Sequence, residues 1–401
     1  MLSHYIQKAE EVLETKFGIK PERSKIYCHE NWESFARANG LSVYGESVFF
    51  PKDLSAHLPE GNLDKILPLV YHELEGHGNY CEHTIQGRKL VEDEKTFSQL
   101  EGDVKVKFAY ECSAYFQMIK PYFEGFAMWM EEFLLKSVGR EDLWLGRKEK
   151  SKRMPIDCQH SYFDAYSMLK KFEEEKGTYE LWYSIGFPKR FDKKTLTSIA
   201  KEKLAERFNS LEFLILGGSK KPYSDIDLCA ILKDGAKTDE YNHSRVIDLV
   251  QYNLSDFEKH IEHFEVFATE PILSGELVTG DEKKFKSLKK RVENKSPDPS
   301  VCKNLSRKGI RLLENSKKYF EFGDFANSIV SLAYALSYET FAKAYLSGSK
   351  VMTYKEVLEL RKNHLLNDVY NYQKDLEHGR ISFDKGILLG YINQVSGGIA
   401  K

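Results

Sequence analysis

Apolar residues recur at helical spacing from the start of the chain. Tyr5, Ala9, Val12 and Leu13 predict a helix, Lys25 to His29 a short strand and Asn31 to Asn39 a second helix. Leu41 to Pro51 alternates as an edge strand does, and helical periodicity returns around residues 63–80, 96–119, 122–138 and 160–176. Leu181 to Lys193, aromatic and basic and broken by Gly186 and Pro188, reads as a junction. The pattern then changes. A helix over Leu196 to Phe208 leads into Leu211 to Leu216, a buried-strand run that stops at Gly217-Gly218-Ser219; Asp225 to Leu232 is another strand. Lys290 to Lys303, containing Ser296-Pro297-Asp298-Pro299, reads as a linker. Beyond it, helices are expected over 305–322, 324–346, 354–376 and 383–394, with turns at Gly323, Gly348 and Gly379. The expected architecture is α+β and multidomain: a mostly helical domain over 1–190, a small mixed-sheet domain over 195–290 and a helical bundle over 303–401.

A length of 401 residues suits two or three cores, at roughly 150 residues per domain. With 41% hydrophobic residues and 59 basic against 61 acidic side chains, disorder is excluded and no global charge points to nucleic acid or membrane. No apolar run approaches the roughly 18 residues that span a bilayer, and Met1 to Lys8 lacks the pattern of a signal peptide, so a cytoplasmic protein without a membrane partner is expected. The cysteines at 28, 81, 112, 158, 229 and 302 form no Cys-x-x-Cys pair and are expected as free thiols.

Two constellations carry chemistry. Tyr71 to Gly78 reads Tyr-His-Glu-Leu-Glu-Gly-His-Gly, placing His72, Glu73 and His77 in the order His-Glu-x-x-x-His. On an ideal α-helix, residues five apart diverge by about 140°, so both imidazoles reach one ion only if the helix bulges, and Gly76 is a place for that distortion. Further on, Glu124 stands among Phe, Met and Trp residues on the face of a predicted helix, where a carboxylate needs a partner such as a metal. The strand before the motif could accept a peptide backbone beside the helix.

Residues 40 to about 180 resemble a gluzincin metallopeptidase domain. His-Glu-Leu-Glu-Gly-His is similar to the signature of dipeptidyl peptidase III and of the tyrosine carboxypeptidases that act on tubulin tails, and Glu124-Gly125-Phe126-Ala127 resembles the Glu-Gly-x-Ala segment of several gluzincin families. The resemblance implies Zn2+ held by His72, His77 and Glu124, with Glu73 as general base and a peptide or protein as substrate. Three protein ligands leave zinc one position for water, which fits those roles. His160, Tyr162 and Tyr166 are candidates for a donor to the oxyanion.

In the second constellation, Asp225 and Asp227 lie two apart on a strand and project from one face, where paired carboxylates can bridge divalent ions. The Gly217-Gly218 turn admits phosphates, Ser219 can hydrogen bond to one, and Lys220 and Lys221 add charge. The arrangement resembles the DNA polymerase beta superfamily of nucleotidyltransferases, especially the minimal ones of prokaryotes, although the loop is short and lacks the arginine often found after the serine. The resemblance implies Mg2+ with a nucleoside triphosphate, an acceptor hydroxyl of unknown identity and a third carboxylate on a later strand. If Arg245 to Tyr252 is that strand, the carboxylate is Asp248; if Val246, Val250, Leu254, Phe257 and Ile261 mark a helix instead, Phe264 to Thr269 is the strand and Glu265 the carboxylate. Ile272 to Val278 resembles the superfamily's following helix and glycine turn.

The C-terminal helices resemble HEPN domains, partners of minimal nucleotidyltransferases, but Arg361 and His364 are spaced too closely for the HEPN ribonuclease motif. Positioning of an acceptor or homodimerisation is the expected role. The sequence thus points to a fusion of zinc-dependent peptide hydrolysis with Mg2+-dependent nucleotidyl transfer. The alternatives are transfer alone, with the first domain a scaffold, and a nonenzymatic antitoxin-like binding protein.

Overall fold

The computed structural model describes residues 1–20, 25–41, 47–151, 163–218, 224–238, 246–263, 266–294, 299–347, 364–377 and 381–399. The architecture is α+β and mostly helical. Two compact units divide the chain: Met1–Lys203 with 220–225 and 245–247, and Leu204–Ser219 with Ile226–Ser244 and Asp248–Lys401.

In the first unit, α1 (Leu2–Phe17) precedes β1 (Lys25–His29), α2 (Trp32–Ala38), β2 (Val48–Phe50) and β3 (Ser55–Pro59). The sheet runs β1-β3-β2, with β1 parallel and β2 antiparallel to β3, so β2 is an edge. The expected strand Leu41–Pro51 is thus reduced to three residues, with 42–46 outside the described residues, and the buried β3 was not read from the pattern. Asn62 caps α3 (Leu63–Val70) by accepting from the Lys65 amide, and the chain continues through Tyr71–Gly78 into α4 (Asn79–His83) and α5 (Ile85–Gln99).

Helix α6 (Gly102–Ser137) corrects two expected helices into one. Pro121 lies inside it and removes one backbone hydrogen bond; the carbonyl left without that donor belongs to Gln117, on an exposed turn where water can serve it. Beyond Pro121 the helix buries Phe123, Phe126, Trp129, Leu134 and Leu135, and that burial favours its continuing as helix past the interruption. Trp182 stacks on Phe17 at 3.8 Å and on Phe187 at 3.9 Å, joining α1 to the chain after α6. That later chain forms α7 (Glu141–Ser151), α8 (Ala165–Lys176), α9 (Thr178–Ser184) and α10 (Lys193–Leu204).

The second unit has a four-stranded sheet, β6-β5-β4-β7, from β4 (Leu211–Leu216), β5 (Ile226–Leu232), β6 (Ile247–Asn253) and β7 (Glu276–Gly280). Helices α11 (Leu254–Glu262), α12 (Val266–Ser274) and α13 (Glu282–Glu293) accompany it, and α14 (Pro299–Glu321), α15 (Phe325–Leu346), α16 (His364–Glu377) and α17 (Lys385–Ile399) follow. One apolar cluster runs from Phe213, Ile215, Cys229 and Ile231 through Phe257 and Ile272 to Leu332, Phe341, Val369 and Leu388. The expected linker Lys290–Lys303 is mostly helix: α13 reaches Glu293, and Pro299, whose missing N–H costs nothing in a first turn, opens α14. No described helix is long and apolar enough to cross a membrane. The described cysteines are free; Cys158 lies outside the described residues.

Candidate metal centres

Tyr71–Gly78 is a π-helical stretch. Its i→i+5 hydrogen bonds widen the turn, so residues five apart share a face. His72 and His77 therefore meet, with ring centroids 4.9 Å apart and planes at 88°. Gly76 serves the crossing helix. A Cβ there would lie 2.6 Å from the Ala127 Cα and 2.8 Å from its Cβ, so the bare glycine lets α6 come close and deliver Glu124.

Glu124 Oε2 stands 3.3 Å from His77 Nε2 and 3.7 Å from His72 Nε2. One donor atom of each residue lies within 4.8 Å of the others, and all three side chains are buried. Tetrahedral donors about 2.1 Å from a zinc ion stand about 3.4 Å apart, so this donor set fits one ion. Without metal, burial opposes a charge on Glu124, yet the two imidazoles outweigh it and hold the carboxyl well below its ordinary range. Burial likewise pulls His72 down, but Glu124 and Glu131 push it up to about 10. Phe123 stacks on His77 at 3.9 Å, and Phe49 of the edge strand lies 6.2 Å from the same ring. Glu73 is buried, and Ser47 Oγ, just before β2, donates to its Oε1 at 2.5 Å.

Glu131 is a functional candidate that the sequence reading missed. It has no solvent exposure; its Oε2 lies 3.3 Å from His72 Nδ1 and its Oε1 2.6 Å from Arg147 Nε. The available signal was its position seven residues, two helical turns, after Glu124 on an apolar face. Tyr166, expected as an oxyanion donor, instead donates to Glu132 Oε2 at 2.7 Å, so its proton belongs to the framework. His160 and Tyr162 lie outside the described residues.

The second centre forms at the ends of adjacent strands. Asp227 lies on β5, Asp225 one residue before that strand, and Asp248 near the start of β6; one oxygen of each lies within 4.8 Å of the others. Asp248 is buried and the other two half-buried. The Gly217 amide donates to the Asp227 carbonyl at 2.8 Å. Gly218 adopts φ +60°, a backbone angle that favours glycine, and a Cβ there would meet Asp227 Oδ2 at 1.8 Å, so the Asp227 carboxylate could keep its place only beside a glycine. Lys189 Nζ donates to the Ser224 carbonyl at 2.5 Å, immediately before Asp225. Ser219, Lys220 and Lys221, expected to bind phosphate, lie outside the described residues, as does Glu265. Residues 247–253 are strand, and the rival strand position is helical from Val266. The helical pattern noticed across this region belongs to α11 alone, and the segment expected as helix and glycine turn ends in β7.

No family model matches the chain, and no curated protein matches it. Among solved structures, it is similar to a nucleotidyltransferase-like protein from Exiguobacterium sibiricum 255-15, with 15% identity and a TM-score of 0.26 over 52% of this chain and 74% of that one.

Proposed function

We propose that the chain is a metal-dependent nucleotidyltransferase that moves a nucleoside monophosphate from a triphosphate to a hydroxyl acceptor, the acceptor oxygen bonding to the α-phosphorus as the α–β bond breaks and pyrophosphate leaves. The observation that carries this reading is the convergence of Asp225, Asp227 and Asp248 beside the Gly217-Gly218 turn. Three carboxylates so close repel one another unless cations stand between them, and their oxygen donors suit Mg2+. Bound Mg2+ would neutralise the triphosphate and align its phosphoryl group with the attacking oxygen. Asp225 and Asp227 would hold the ions. Asp248, the most buried of the three, would also take the acceptor's proton. The glycine turn, with Ser219 and Lys220, would cradle the phosphates.

The test is transfer of label from α-labelled nucleoside triphosphates, together with thermal unfolding in millimolar Mg2+ and each triphosphate. Binding at a hundredfold excess over Kd stabilises the folded state by about 2.7 kcal/mol. Asp227→Asn should lose most of that shift and all transfer. No shift with any of the four triphosphates refutes the reading.

A second activity is favoured by the donor set His72, His77 and Glu124 with Glu73 beside it. In this reading the first unit is a zinc-dependent peptidase. The ion would lower the pKa of a bound water towards neutrality. Glu73, fixed by Ser47, would accept a proton from the water and return it to the leaving amine, while the edge strand β2 would align the peptide backbone. The C-terminal helices would position the acceptor or form a homodimer. Elemental analysis of the purified protein tests the zinc centre, and a value far below one ion per chain refutes it.

A further inference from the structure

We propose that Arg147 is a positioning residue for the zinc centre, acting through Glu131 on His72; the inference rests on the zinc reading above. The three groups form a chain of contacts. Arg147 Nε lies 2.6 Å from Glu131 Oε1, and Glu131 Oε2 lies 3.3 Å from His72 Nδ1. His72 Nε2 faces Glu124 at 3.7 Å. Glu131 and His72 stand at ion-pair distance rather than in an aligned hydrogen bond; with Nε2 on the ion, the Nδ1 proton would face Glu131, and a carboxylate there fixes the tautomer and plane of a ligating imidazole.

Glu131 can hold that position only if something holds Glu131. It has no exposure to water, and an uncompensated carboxylate is strongly disfavoured in such surroundings. Arg147 supplies the compensation from α7, an element that contributes no ligand. The charges agree with this role. Glu73, Glu124 and Glu131 gather three carboxyl groups around a site for one dication, and the guanidinium of Arg147 pairs with Glu131. Arg147 is itself largely shielded, at 29% side-chain exposure, so its charge acts through a medium less screening than water.

The experiment uses the full-length zinc-loaded protein and follows zinc release to a chromophoric chelator, with circular dichroism confirming the fold of each variant. Arg147→Met and Glu131→Gln should each speed release by about 10- to 100-fold, the usual effect of removing an outer partner of a metal ligand. The double variant should release no faster than Glu131→Gln, because both changes break one chain. Cobalt substitution gives a second readout: the visible absorption bands should shift in the same way in both single variants. Should Arg147→Met fail to fold, Arg147→Gln, which keeps a donor but not the charge, is measured instead, and faster release is again expected. Parent-like release from a folded Arg147 variant overturns the proposal, as do losses that multiply in the double variant. A parent protein that holds no zinc overturns the centre itself, and this inference with it.

Discussion

Replacing Gly76 with alanine is the sharpest test of how the first centre is assembled. The new Cβ would stand 2.6 Å from Ala127 Cα and 2.8 Å from Ala127 Cβ. Both are atoms that cannot rotate away, so the π-helical stretch and α6 must separate by several tenths of an ångström. Overpacking of this kind costs about 3 kcal/mol. Alanine regains about 1 kcal/mol of helix propensity, leaving a net loss of about 2 kcal/mol. At about 2–4 °C per kcal/mol for a unit of this size, the midpoint of the first unit should fall by about 4–8 °C. Because Glu124 rides on the displaced helix, zinc affinity should fall as well. Gly146→Ala is the control: nothing lies within 4 Å of its Cβ position, which sits inside α7, so it should leave the midpoint unchanged or raise it. Calorimetry and zinc analysis on both variants decide the matter. A Gly76→Ala protein that melts with the parent and keeps its metal would show that the close crossing of the helices does not build the site.

On the proposed peptidase reading, Glu73→Gln should retain zinc while peptide hydrolysis falls by about 10²- to 10⁴-fold, since that reading makes Glu73 a base and not a ligand; hydrolysis at the parent's rate by this variant would assign the role elsewhere. Glu75 offers a pH test. Burial, reinforced by Glu10 and Glu82 and opposed by the Asn79 amide, lifts its carboxyl to about 8, whereas the unfolded chain has the ordinary 4.5. The folded state therefore binds the extra proton, so this contribution is complete below about pH 4.5 and is lost as pH rises to about 8, at up to about 1.4 kcal/mol per pH unit. Glu75→Gln should flatten that part of the stability profile in denaturant titrations between pH 5 and 9, and a slope identical to the parent's would refute the assignment.

Much of this protein was legible in its sequence because the signals are local. Leu211–Leu216 is apolar but for Glu212 and ends at two glycines, and Lys25–His29 is bounded by turn residues, so both strands follow from the chain itself. His72, Glu73 and His77 were identifiable as a group from residue type and spacing, and that spacing already required a widened helix, which the π-helical stretch supplies. The misread elements share another cause. Pro121 and Pro299 are local stop signals, yet α6 runs through the first, where packing of distant apolar residues outweighs a single lost hydrogen bond, and α14 starts at the last, where a first-turn proline loses none. Strands β3 and β7 are defined by their pairing partners rather than by their own patterns.

What tertiary structure alone decided is which side chains meet. That Glu131 comes to stand beside His72, that Tyr166 is committed to Glu132, and that Gly76 accommodates Ala127 depend on crossings between segments from 34 to 59 residues apart in the chain. Likewise Asp248 joins Asp225 and Asp227 through the neighbouring of β6 and β5. Residue type and period set what each segment can bury. Only the close packing of helix on helix and strand on strand, felt to a few tenths of an ångström, selects the partner that each buried polar group finds.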